Sequence, residues 1–203
     1  MKRSILITLK TLVWLACLWP LGWLIWGAAT DNLGADQIHT ITFTTGLATL
    51  RILTITLAIT PLRRLSPRLG WLIKFRRLLG LFAFFYASLH LLTYIALYAN
   101  FDVNAMAADI AKRRYITAGV AAWLLLLPLA ATSTNWAIRK LGGKRWNRLH
   151  KLVYAAALCG VIHYWWQVKP GVRTPLTITV VLAVLLLARP IQSWVQQRKT
   201  RMA

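Results

Sequence analysis

Long apolar runs broken by short polar stretches organise this chain of 203 residues. Six runs read as membrane-spanning helices, over about 12–28, 40–61, 78–98, 115–136, 149–167 and 175–188. A helix needs about 20 apolar residues to cross about 30 Å of hydrocarbon. The sixth run is short by that measure and predicts little tilt or a locally thinned bilayer. The expected architecture is all-α: a polytopic membrane helical bundle of six transmembrane helices, forming a single domain over residues 1–203.

Composition agrees, and charge adds an orientation. Hydrophobic residues make up 58% and charged residues 14%, against about 25% charged in a soluble domain. A net charge of +21 could suggest nucleic acid. The basic residues, however, sit in short loops between apolar runs, where they set the direction of insertion. One side holds Lys2, Arg3 and Lys10, the group from Arg63 to Arg77, the group from Arg139 to Lys151, and Arg189, Arg198, Lys199 and Arg201. The other holds Lys112, Arg113, Arg114, Lys169 and Arg173, together with all the acids, Asp31, Asp36, Asp102 and Asp109. Both termini are therefore expected in the cytoplasm. Lys2, Arg3 and Lys10 precede a run without a small-residue cleavage site, so it is expected to stay as the first helix.

Candidate chemistry centres on the stretch WNRLHKLVYAAALCGVIHYWW, residues 146–166, read as one apolar helix with His150 at its start and His163 near its end. Ionisable groups at membrane depth are costly and usually functional, and imidazole is a good haem-iron ligand. The third and fifth spans both run from inside to outside. Arg77 and His150 mark their inner ends, and His90 and His163 each follow thirteen residues later, about 20 Å further outward. A bis-histidine haem between His90 and His163 fits that register. Thirteen residues on a straight helix also turn His163 about 140° from His150, so one shared face requires a bend. Gly160 could let a flat macrocycle approach the backbone.

The remaining polar residues divide into candidates and structural readings. Arg77 has no lone pair for iron, and its planar fork suits a haem propionate or a flavin phosphate; the alternative is a positive-inside charge. Arg51 stands mid-way along the second span, where a charge costs about 2.5–3.5 kcal/mol on insertion scales, so it is expected to face the bundle or a polar cavity. Its partner would be a propionate, a flavin or a quinone carbonyl, or else neighbouring threonines. His39 reads as interfacial, Cys17 and Cys159 as packing residues, and most tryptophans as interfacial anchors. No glycine-rich nucleotide loop follows a strand, so NAD(P)H binding by this chain alone is not expected.

The motifs LGADQ (33–37), ITPLRRL (59–65), RRLLGL (76–81), LHLLTY (89–94), GKRWNRLHKLVY (143–154) and IHYWW (162–166) cover nearly the whole chain in order. By them it resembles the MsrQ (formerly YedZ) family, in the ferric reductase-like transmembrane superfamily. The resemblance implies a membrane subunit of the bacterial inner membrane carrying haem b and FMN. It implies electron flow from the quinone pool, with a cytosolic flavin reductase as a further donor. The recipient implied is MsrP, a periplasmic molybdopterin protein that repairs oxidised methionines. His90, His150 and His163 match the family's histidines. Superfamily members with two haems place two histidines on each of two helices; here the third span has Arg77 where a second would stand, which leaves one haem or two. No stand-alone substrate chemistry is expected. A ferric-chelate reductase, or a transporter or assembly protein with structural histidines, is the alternative. The outer loop 100–114, carrying acids and bases, is a candidate docking surface.

Overall fold

A computed structural model describes residues 3–168 and 173–202. Lys2 and Lys169 lie outside the described residues, as do the side chains of Arg173, Arg189, Lys199 and Arg201. The described chain is a membrane helical bundle with no strand among the described residues. Its helices are α1 (Arg3–Ala29), α2 (Gln37–Leu65), α3 (Arg76–Thr93), α4 (Val103–Lys112), α5 (Arg114–Ala131), α6 (Asn135–Leu141), α7 (Gly143–Leu149), α8 (Leu152–Gln167) and α9 (Arg173–Met202). A 3₁₀ stretch, Pro67–Phe75, leads into α3, and a π-helical turn, Tyr94–Tyr98, ends it. Among the described residues, five segments are long and apolar enough to cross a membrane: α1, α2, Pro67–Tyr98, α5 and the Pro175–Gln192 part of α9. The 16 residues of α8 rise about 24 Å.

Three of the expected runs differ from what folds. The stretch 146–166 is not one helix: α7 ends at Leu149, and a turn at His150–Lys151 precedes α8. His150 closes α7 by donating its backbone N–H to the Trp146 carbonyl at 3.0 Å. The run that was expected to stop short at residue 188 continues through Pro190 to Met202, as a helix of 30 residues. The fourth run breaks after Pro128, at Ala131, and restarts at Asn135 with the Thr134 hydroxyl capping Ala137 N–H at 3.1 Å. A capping hydroxyl satisfies a backbone donor that the new helix leaves unpaired.

Two closely packed pairs, α2 with α3 and α5 with α8, form the centre, joined through α3 against α5. Small residues make the close approach possible: Ala83, Ala156 and Ala157 are 0–1% exposed, as expected where helices associate in lipid through van der Waals contact. The threonines of α2 return their hydroxyls to the carbonyl four residues back, Thr45 to Ile41, Thr54 to Leu50 and Thr56 to Ile52. No hydroxyl is then left bare toward hydrocarbon at those positions.

The first helix sits at the edge, with most of its surface outward. One buried tyrosine holds it. Tyr86 of α3, 0% exposed, donates its hydroxyl to the Cys17 carbonyl at 2.7 Å and accepts from Leu21 N–H at 3.2 Å. Cys17 and Leu21 are an i, i+4 pair beside Pro20, so the phenol stands inside the helix's own hydrogen-bond ladder. Trp14, half exposed, also packs edge-on against Phe82 of α3, ring centres 5.1 Å apart.

Candidate functional site

Two imidazoles meet between the central helix pairs. His90, near the outer end of α3, and His163, near the outer end of α8, have ring centres 5.8 Å apart and planes at 81°. Their Nδ1 atoms turn away from each other. His90 Nδ1–H donates to the Thr42 carbonyl of α2 at 2.9 Å, and His163 Nδ1–H donates to the Tyr115 carbonyl of α5 at 2.6 Å. A carbonyl only accepts, so each bond assigns the ring proton to Nδ1 and leaves the lone pair on Nε2. Among the described residues neither Nε2 takes part in a hydrogen bond.

The wall behind each ring is a glycine. A Cβ on Gly46 of α2 would lie 3.0 Å from the His90 ring, and one on Gly119 of α5 would lie 2.8 Å from His163 Nδ1. In both pairs the accepting carbonyl stands four residues before the glycine and 48 residues before the histidine. Residues 44–48, TTGLA, and 117–121, TAGVA, stand 73 residues apart, as do the two histidines. The two helix pairs are thus built on one repeated plan, which the hydrophobic pattern does not reveal and a search for an internal period would.

These residues fit a haem. Metal–imidazole bonds of about 2.0 Å put two opposed nitrogens about 4 Å apart, hence ring centres about 6 Å apart. A carbonyl on the far nitrogen is the usual device for orienting a ligating histidine. Among the described residues no group of three or more His, Cys, Asp or Glu could hold a metal ion, and Cys17 and Cys159 are free.

The inner end is different. His150 lies in the turn before α8, stacked on Trp146 with ring centres 3.8 Å apart and its Nε2 3.1 Å from the Thr132 hydroxyl. Burial first, and the Arg76 guanidinium second, push its pKa down to about 4, so it is neutral at physiological pH. A cavity of about 360 Å³ opens beside it, lined by Arg64, Arg76 and Lys151 with Asn147 and Tyr154. The cation facing His150 is therefore Arg76. Arg77, expected there, turns outward and donates to Asn135 Oδ1 at 2.8 Å, because neighbouring residues on a helix point about 100° apart. Sequence reasoning passed over Arg64 and Lys151 as positive-inside charges; only the packing of α2, α3 and α8 brings them together.

Arg51 also departs from expectation. It does not face the bundle: it is exposed, on the side of α2 opposite the buried Ile52, Leu53 and Thr56. The threonines it was expected to bond use their hydroxyls on α2's own carbonyls. His39 is exposed at the outer start of α2, its ring stacked on Phe43 at 5.8 Å. The outer loop folds into α4, with Asp102 capping its start, Asp109 paired with Arg113 at 3.1 Å and Tyr94 donating to Asp109 at 3.0 Å.

Comparison with known proteins identifies a family. Residues 45–161 match the family described as ferric reductase like transmembrane component. The chain is 49% identical over 193 residues, 94% of its length and 88% of the relative's, to the protein-methionine-sulfoxide reductase heme-binding subunit MsrQ of Herminiimonas arsenicoxydans. It is similar to the MsrQ subunits of Ralstonia nicotianae, 45% identical over 90% of this chain and 83% of the relative, and of Xanthomonas euvesicatoria, 48% identical over 89% and 84%.

Proposed function

The chain belongs to the MsrQ family of ferric reductase-like transmembrane proteins, and we propose that it is a haem b electron-transfer subunit serving a methionine sulfoxide reductase. The observation that carries this reading is the facing pair His90 and His163, each with Nδ1 held by a carbonyl on the far side. Haem supplies reversible one-electron iron chemistry when bound. The protein's part is to bring two rings side by side with each Nε2 outside any hydrogen bond, to exclude water with buried Ala83, Ala87 and Val161, and to keep both rings from turning. With haem bound, His90 and His163 would hold it, and the carbonyls behind them would keep their rings in one orientation.

Direction comes from topology. With both termini in the cytoplasm of an inner-membrane protein, the His90–His163 level lies in the outer half of the bilayer, toward a periplasmic partner, MsrP. The quinone pool is the electron source. FMN fits the inner cavity, where Arg64, Arg76 and Lys151 suit a phosphate and no acid lines the wall. His150 stands at that cavity as the ligand available to a second cofactor, and a cytosolic flavin reductase would reach it from the inner face.

Purified protein should show a Soret band with reducible b-type absorption, and His163→Ala should remove it. An unchanged spectrum in His163→Ala refutes the ligand assignment.

A further inference from the structure

Arg51 poses a separate question, since a guanidinium at mid-membrane on an outward face is expensive and selected against unless used. We propose that the outward face of α2 at Arg51 is a lateral binding site for the head group of a lipid-dissolved quinone, a site that rests on the electron-carrier reading above.

Position comes first. Arg51 is fourteen residues from either end of α2, about 21 Å of rise each way. Within the span 40–61 the edges of the hydrocarbon are about 15 Å away on either side, about twice what an arginine side chain spans, so Arg51 stands at mid-depth. On the helix it stands in register with exposed Phe43, Ile55 and Leu62, an apolar stripe in which it is the single cation. No hydrogen bond or ion pair to it occurs among the described residues.

The fold does not require it. Arg51 of α2 corresponds, by the 73-residue repeat, to Leu124 of α5. Leu124 is likewise outward, 55% exposed. The same helix-pair plan therefore folds with leucine in one copy and arginine in the other.

The occupant must approach through hydrocarbon and present an acceptor oxygen at mid-depth. A second copy of this chain brings no acid there: Asp31, Asp36, Asp102 and Asp109 all lie at the outer end. A quinone meets both conditions, with two ring oxygens on an uncharged, bilayer-soluble body, and a guanidinium N–H donates to a ring oxygen of the quinol and of the oxidised form alike. Place favours it over an acid-bearing foreign helix. The opposite face of α2 supplies Thr42 and Gly46 to His90, and Gly46 is five residues from Arg51, about 7.5 Å along the axis. A head group at Arg51 is separated from the paired histidines by about one helix thickness.

The test uses full-length protein in phosphatidylcholine nanodiscs and an azido-ubiquinone photoprobe, with the Soret band recorded on the same samples. Label should fall within residues 43–62 and be chased by decylubiquinone. Arg51→Leu should cut it about tenfold, as expected for loss of a charge-assisted hydrogen bond, and Arg51→Lys should retain most of it, both with the wild-type Soret band. Equal labelling of wild type and Arg51→Leu overturns the site. So does absence of label in wild type together with crosslinking of residue 55 to another membrane protein in native membranes. Arg51-dependent labelling in protein that lacks a Soret band supports the site and sinks the haem reading instead.

Discussion

The α2–α3 pair and the α5–α8 pair are two copies of one plan that agree at the outer end and diverge at the inner end. Outside, each contributes a carbonyl, a glycine four residues on, and a histidine 48 residues from the carbonyl. Inside, the position of His150 in one copy is Arg77 in the other, 73 residues apart again. Arg77 leaves the interior for Asn135, whereas His150 stays beside Thr132 and the basic cavity. The outer level is therefore a symmetric pair of imidazoles, and the inner level a single imidazole among cations. Symmetry sets two equivalent imidazoles side by side; its loss leaves one imidazole beside Arg64, Arg76 and Lys151. The glycines show how strictly the outer level is built, since a β-carbon at either position meets a ring already held in place.

The largest break in that symmetry should come from Gly119→Val. Its Cβ position is 2.8 Å from His163 Nδ1, so the ring must leave the Tyr115 carbonyl, and haem affinity should fall about a hundredfold, read as haem per protein after dilution. Gly46→Ala, with a Cβ 3.0 Å from the His90 ring, should cost about tenfold by the same measurement. An equal loss in both would contradict the tighter fit on the α5 side. Next comes Tyr86→Phe, which removes two hydrogen bonds to α1. It should lower thermal stability by about 2 kcal/mol and expose α1 to protease, with the Soret band unchanged. His150→Ala should leave the low-spin bis-imidazole EPR signal of the outer pair as in wild type; its disappearance would mean the two levels share a ligand. Smallest is Arg77→Gln, an exposed hydrogen bond to Asn135, which should change stability by less than about 0.5 kcal/mol and haem content not at all. Arg76→Gln, beside His150, should be the larger of the two arginine effects on FMN binding.

Several features were legible along the chain because they depend on local pattern. Apolar runs of sufficient length give membrane helices, since hydrocarbon leaves backbone groups no partner but their own helix. The shared thirteen-residue register of Arg77 with His90 and His150 with His163 placed the outer histidines at one depth, and the rings do meet. What the chain could not give was direction around each helix axis. Arg51 was expected inward on energetic grounds and points outward, and Arg77 was expected at the inner site that Arg76 takes. Rotation is set by which faces pack, and that is decided by neighbours distant in sequence. The break at His150 is of the same kind: apolar composition continues through it, while the cap on α7 and the stacking on Trp146 end the helix. Composition and spacing thus determined that this protein has membrane-spanning helices and that His90 and His163 share one level. Tertiary packing alone decided which nitrogen each imidazole presents, because the proton on Nδ1 is fixed by a carbonyl 48 residues away.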